Sequence, residues 1–314
     1  MSKAYDVMII GGGPAGLSAG IYASRARLEC LLLEKAMPGG QMLLTDVIEN
    51  FPGFSSPVKG GDLAREMSSQ AKAFGLAIEN DEVMKIVPVE KNRNRFRIES
   101  AFGESYDTAS VIIATGASWK SLEIPGEAAF RGKGVSYCAV CDGPLFKGKD
   151  IVVVGGGDKA LEEALYLTRF ANSVRLIHRR DKFRAVKELQ ERVLENKKIT
   201  PAYDSVITEI VGKDHVESVI VADVKTGKTD VIPASGIFIF IGITPNSGIV
   251  KGLVDMDEKG FILADASMQT SKEGIYACGD VIKKSLYQIA NAVGEGATAA
   301  FNAQRYIEST RPAA

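Results

Sequence analysis

Four cysteines, two histidines and one tryptophan in 314 residues put several kinds of protein out of reach. Four thiols are too few for the disulfide framework of a secreted scaffold. Cys30 and Cys278 stand alone, and His178 and His215 are far apart, so nothing completes a zinc site around Cys138 and Cys141. No metal is expected. A net charge of −1, from 38 basic and 39 acidic residues, lacks the basic footprint of a nucleic-acid binder. No apolar run approaches the length of a membrane span. The opening "MSKAYDVMII" runs into a strand-like stretch with no basic leader. The expectation is a soluble cytoplasmic protein, with neither nucleic acid nor membrane as partner.

What the chain does hold is one pattern written twice. From residue 5 it reads "YDVMIIGGGPAGLSAGIYASRARLECLLLEK": strand, Gly11-x-Gly13-x-x-Gly16, helix, then a second strand ending at Glu34. From residue 149 it reads "KDIVVVGGGDKALEEALYLTRFANSVRLIHRR", with Gly155-x-Gly157-x-x-Ala160 in the same place. Glu34 stands 23 residues after Gly11, and His178 stands 23 after Gly155. The first glycine permits a tight turn and the second lets backbone approach a pyrophosphate. The third small residue lets helix pack on strand, and the helix N-terminus offers free N–H groups.

The copies part company at the end of the second strand. Glu34 suits a ribose 2′-hydroxyl, as in FAD or NAD. The second copy has "HRRDKFR", which gathers His178, Arg179, Arg180 and Arg184 where a 2′-phosphate would lie. That cluster predicts NADPH. Each copy continues into a hairpin and a glycine-ended return strand, at residues 95–115 and 216–242. Turn-forming breaks at 114–126 and 242–248 place the second copy inside the first. The fold class is α/β, with two Rossmann-like (FAD/NAD(P)-binding) three-layer domains, the second inserted into the first. Residues 1–117 and 246–314 form the first domain and 118–245 the second. Near the C-terminus "GIYACGD" reads as a strand stopped by Gly279-Asp280, and a long helix of small residues follows.

Between the copies lies "SYCAVCDGP", residues 136–144. By spacing alone a Cys-x-x-Cys in a reducing compartment is catalytic or metal-binding rather than structural. With two nucleotide motifs around it, the whole chain resembles the low-molecular-weight flavoprotein thioredoxin reductases. "GGGPAGLSAGIYASRA", "PGGQ", "ENFPGF", "ATGA", "VSYCAVCDG", "GGGD", "HRRDKFRA" and "GIYACGDV" carry the resemblance. It implies an NADPH-dependent thioredoxin-disulfide reductase, a homodimer, passing electrons from NADPH through FAD and a Cys138/Cys141 disulfide to thioredoxin. It implies FAD contacts from Gly11, Gly13, Gly16, Glu34, Gln41, Asn50, Asp280 and Gln288, and NADPH contacts from Gly155, Gly157 and the basic cluster. Cys141 would face the flavin, Cys138 would attack the partner, and Asp142 would protonate a departing thiolate. The family rotates its two domains between half-reactions, which places hinges here near 115–120 and 243–248. The alternative is a flavin disulfide reductase of the same fold using NADH, ferredoxin or an atypical thioredoxin-like partner. Relatives of that sort tend to lose the arginine cluster present here. Lys159, Val140 and Tyr287 depart from the family's usual residues. Cys30 and Cys278 read as small core hydrophobes, and His215 as solvated.

Overall fold

The computed structural model describes residues 3–44, 47–48, 50–89, 96–137 and 139–310. The chain divides into two compact units, Met1–Ser118 with Thr244–Ala314, and Trp119–Ile243.

The first unit opens with β1 (Lys3–Ile10), whose Val7, Met8 and Ile9 are wholly buried, as a strand covered on both faces requires. The chain turns at Gly11 into α1 (Pro14–Arg25). Pro14 takes the first helical position, where its missing N–H costs nothing. β2 (Cys30–Glu34) returns parallel to β1. After α2 (Gly60–Ala73), β3 (Ala77–Asn80) adds parallel outside β2. A meander follows through β4 (Val83–Pro88), β5 (Phe96–Ser100) and β6 (Ser105–Ile113). The sheet order is β3-β2-β1-β6-β5-β4.

β7 (Ala117–Trp119) leads into the second unit. Its elements are β8 (Val135–Ser136), α3 (Ala139–Asp142), β9 (Asp150–Gly155), α4 (Asp158–Leu167), β10 (Ser173–Ile177), α5 (Lys187–Glu195) and β11 (Ile199–Ala202). Then come β12 (Ser205–Gly212), β13 (Val216–Asp223), β14 (Thr229–Pro233) and β15 (Gly236–Phe240). A parallel sheet runs β8-β15-β9-β10-β11, and β12, β13 and β14 form a separate antiparallel sheet. The chain leaves through β16 (Ile243–Pro245), which pairs with β7. Back in the first unit, β17 (Ile275–Ala277) joins the sheet beside β6, and α6 (Ile289–Thr310) follows.

In each unit the parallel strands are the middle of three layers. In the first unit Val7, Ile9 and Leu32 pack with Leu17 of α1 and Ala299 of α6, while Met8, Ile10 and Leu33 face Ile262 and Val281. In the second, Ile151 and Val153 meet Leu161 and Leu167 of α4, and Val152 and Val154 meet Ile207 and Val219 of the antiparallel sheet. Each such aliphatic side chain contributes about 1.5–3 kcal/mol on burial. α6 crosses α1 closely because the contact is made of small residues: a methyl added to Gly296 would lie 2.1 Å from Ala15 O.

The two repeats differ in one structural respect. β6 serves twice: Ser105–Thr108 pair antiparallel with β5, and Val111–Ile113 pair parallel with β17. In the second unit the same duty is split, because β14 stops at Pro233 and β15 starts afresh at Gly236. Proline cannot donate to a ladder, so the break falls there. Among the described residues, no helix is long and apolar enough to cross a membrane.

Candidate functional site: two glycine turns and a redox motif

In the first unit β1 ends against a turn that tolerates no side chains at two positions. Gly11 has φ +102°, and a Cβ there would lie 2.4 Å from Ala114 O; one on Gly16 would lie 1.9 Å from Gly11 O. Gly13, the N-cap of α1, has open space where a side chain would be. Bare backbone beside a helix N-terminus is the geometry that accepts a phosphate. Glu34 closes the turn, since Gly12 N–H donates to its Oε2 at 2.6 Å and Ala36 N–H to its Oε1 at 2.9 Å. Each carboxylate oxygen keeps a further lone pair for a hydroxyl.

Other predicted residues of this unit are joined across distant sequence. Gly39 N–H donates to Gly12 O at 2.7 Å, which brings up the "PGGQ" segment, and Gln41 Nε2 donates to Ala117 O at 3.0 Å. Asn50 Nδ2 donates to Gln288 Oε1 at 2.9 Å across 238 residues of chain. Gly279, with φ +77°, packs so tightly on α1 that a Cβ would meet Ala15 Cβ at 2.9 Å, which seats Asp280 beside the turn.

Asp280 belongs to a network the sequence did not announce. Lys284, with a side chain only 8% exposed, donates to Glu295 Oε2 at 2.8 Å and lies 3.3 Å from Asp280 Oδ1. Glu295 also accepts from Gly279 N–H and Asn291 Nδ2. Asp280 Oδ1 is buried and faces the Lys284 ammonium at 3.3 Å, with acceptor capacity left over. Burial pushes the Asp280 carboxyl up and the Lys284 charge pulls it back. Tyr287 covers this network, with Lys284 Nζ 5.5 Å from its ring centroid and the Phe261 ring 5.7 Å away.

The second unit rebuilds the turn from different atoms. A Cβ on Gly155 would lie 2.4 Å from Ala160 Cβ and 2.5 Å from Phe240 O, while Gly157, the N-cap of α4, is open. The place of Glu34 is taken by His178. Its ring sits over Gly156, where a Cβ would lie 2.2 Å from Nδ1, and its Nε2 is 3.0 Å from Lys182 O. His178 is 5% exposed, whereas Arg179, Arg180 and Arg184 are exposed. His178 thus meets the turn at Gly155 and Gly156. Burial lowers its pKa, the charges of Arg184 and Arg180 lower it further, and backbone bonds at Lys182 and Gly155 oppose them. The arginine segment is stitched to the turn: Arg184 N–H donates to Gly156 O at 2.7 Å, and Val186 N–H to Asp158 Oδ1 at 2.7 Å. Lys159 pairs with the buried Glu163 one turn along α4.

The redox motif leads into the second unit's core. Cys138 lies outside the described residues, as does the side chain of Cys141, whose backbone is in α3. Ala139, between the cysteines, is wholly buried, and Gly143 abuts Leu167 and Phe170 at the end of α4. Asp142 is half-buried and makes no capping bond to the 3-10 turn that follows it. The other thiols are sequestered. Cys30 is 3.2 Å from Ser24 Oγ, and burial pushes both Cys30 and Cys278 up. His215 is exposed.

Known proteins share this arrangement. The family model for pyridine nucleotide-disulphide oxidoreductases matches residues 5–296. The chain is 45% identical over 309 residues to a thioredoxin reductase of Treponema pallidum, covering 98% of this chain and 99% of that one. It is 43% identical over 312 residues to the thioredoxin reductase of Listeria innocua, covering 99% and 96%. A crystal structure of Lactococcus lactis thioredoxin reductase in its FR conformation superposes with a TM-score of 0.83 at 43% identity, over 97% of this chain and 99% of that one. Matched over nearly its whole length, this chain belongs to the low-molecular-weight thioredoxin reductases of the pyridine nucleotide-disulphide oxidoreductases.

Proposed function

We propose that the protein carries electrons from NADPH through FAD and the Cys138/Cys141 disulfide to oxidised thioredoxin. The observation that carries this reading is the second strand end: a carboxylate, Glu34, in one unit and three exposed arginines in the other. A carboxylate rewards a ribose hydroxyl, and arginines reward a 2′-phosphate.

The residues of the first unit fit FAD. Gly13 leaves its backbone open, and Asp280 Oδ1 is a buried acceptor with capacity left over. Gly11, Gly13, Gly16 and Glu34 would hold the pyrophosphate and ribose, with Gln41, Asn50, Asp280 and Gln288 contributing the further contacts. When bound, the flavin supplies two-electron transfer between nicotinamide and disulfide. Gly155 and Gly157 offer backbone to the NADPH pyrophosphate. Arg179, Arg180 and Arg184 take the 2′-phosphate, and His178 supports the turn from beneath.

At the redox pair, Cys138 as thiolate attacks the partner's disulfide and one partner sulfur leaves, taking a proton that Asp142 delivers. Cys141 then attacks Cys138 of the mixed disulfide, which restores the Cys138–Cys141 bond and frees the second partner thiol. Nicotinamide site and redox pair both belong to the inserted unit, and each would need access to one flavin. Rotation about 115–120 and 243–248 would give each that access in turn, and cross-linking the units should separate the half-reactions. A homodimer in the cytoplasm completes the proposal.

The test is anaerobic titration of the purified protein with NADPH and, separately, NADH. Bleaching of the flavin at stoichiometric NADPH, then reoxidation by thioredoxin, is expected. Bleaching by NADH at equal concentration would overturn the donor. Partner reduction that survives Cys138→Ser or Cys141→Ser would overturn the route.

A further inference from the structure

Just before Cys138 the chain is held by a carboxylate that the reaction itself does not use. Glu127 is 3% exposed. Its Oε1 accepts from the Tyr137 hydroxyl at 2.5 Å and from Leu122 N–H at 3.0 Å, and its Oε2 accepts from Glu123 N–H at 2.7 Å. Arg131 lies over the Tyr137 ring, 5.1 Å from its centroid, with one guanidinium nitrogen 3.4 Å from the hydroxyl. Leu122 and Glu123 stand just beyond β7, the passage into the second unit. Glu123 holds φ +59°, a left-handed conformation uncommon outside glycine, in which its N–H meets Glu127. Tyr137 is the covalent neighbour of Cys138, between β8 and α3.

We propose that Glu127 and Tyr137 are positioning residues for the redox pair. One buried carboxylate ties the chain that reaches Cys138 to the chain that has just crossed into the unit. On the far side the motif is anchored by Ala139 and Gly143. The tie at Tyr137 supplies the missing anchor on the near side. Exchange between two thiols and a disulfide needs the attacking sulfur in line with the bond it breaks, and small misplacements of reacting groups are costly. Burial and the bond to Glu127 raise the Tyr137 hydroxyl's pKa, so it remains a donor at neutral pH. The proposal rests on the reading of Cys138 and Cys141 as a redox pair.

Tyr137→Phe removes the hydroxyl and keeps the ring under Arg131. The purified flavoprotein is reduced with dithiothreitol, freed of it anaerobically, and mixed with the aromatic disulfide 5,5′-dithiobis(2-nitrobenzoate). One thiolate attacks the reagent and releases the first aryl thiolate. The other then closes the intramolecular disulfide and releases the second. The first phase should stay within twofold of the unsubstituted protein, because a small reagent adapts to the sulfur. The second should slow five- to tenfold, because closure needs both sulfurs held. Cys30 and Cys278, both buried, stay silent on this timescale. Glu127→Gln should slow the same phase, and combining it with Tyr137→Phe should add little. A closure rate within twofold of the unsubstituted protein overturns the proposal, as does equal slowing of both phases, which marks a general structural defect. Neither NADPH nor thioredoxin enters this assay. If the unsubstituted protein closes its disulfide yet fails to reduce thioredoxin, the functional reading falls and the proposal still stands or falls on the second phase.

Discussion

The two glycine turns of this protein solve one geometric problem with two chemistries. In each, the first glycine lies against a carbonyl of the return strand, Ala114 O in one unit and Phe240 O in the other. In each, the last glycine is an open helix N-cap. They differ in the residue that closes the middle. Glu34 does so with a charged carboxylate bonded to Gly12 N–H, and His178 does so with a buried ring laid over Gly156. An acceptor closes the first turn and remains able to accept more. A buried ring closes the second, and three exposed arginines follow it along the chain. Ligand preference can therefore change at one strand end while the turn itself stays intact.

The largest effect that can break this equivalence is expected at the third small position. Gly16→Ala drives a methyl toward Gly11 O, a backbone atom 1.9 Å away that no rotamer change can move. It should cost about 3 kcal/mol, at the upper end of overpacking, and purify with little flavin. The second turn already has alanine there, and Ala160→Gly should cost about 1–2 kcal/mol, from helix propensity and the loss of one buried methyl. Urea unfolding and the flavin absorbance of both variants measure this. A yellow Gly16→Ala protein of unchanged stability would show that the first turn opens as easily as the second.

The next effects test the strand ends. Arg179→Ala with Arg180→Ala should raise KM for NADPH about tenfold to a hundredfold, the range for losing charge-assisted bonds at a partly screened site. KM for NADH should move less than twofold, and equal effects on both would remove the phosphate argument. Glu34→Gln keeps the shape but turns an amide donor toward Gly12 N–H or Ala36 N–H, so one bond is lost. Flavin affinity should fall about tenfold, read from flavin released on dilution, with NADPH affinity unmoved.

Much of this frame was legible because it is local. Both β-turn-α-β units lie in contiguous sequence, one in each compact unit. What escaped depends on contacts across the chain. Apolar alternation cannot tell that β6 continues from hairpin into parallel sheet while β14 and β15 part at Pro233. Lys159 pairs with Glu163, an i,i+4 partner readable from spacing alone. The same spacing links Lys284 to Asp280, but burial of Lys284 against Glu295 required the crossing of α6. Nothing in "IPGEAAF" signals that Glu127 reaches Tyr137, since the bond joins two irregular segments. The place of His178 has one local cue: the second of three successive glycines, Gly156, leaves room for a ring.

The smallest effect follows from that ring, and it separates the two closures by pH. Burial and the nearby arginines lower the pKa of His178 from the ordinary value of about 6.5. Above that value the ring is neutral in folded and unfolded chains alike, and its titration adds nothing. As pH falls through it, the unfolded chain takes up a proton that the native ring resists, so stability drops toward the depressed folded pKa. The slope from this one group is at most about 1.4 kcal/mol per pH unit. His178→Gln keeps a donor for Lys182 O and cannot titrate. Urea unfolding of both proteins between about pH 6.5 and 5.5 should show the unsubstituted protein losing stability faster, by up to about 1 kcal/mol over the interval. Parallel curves would mean that the ring takes its proton in place, and the second turn would then be closed by a charge, as the first is.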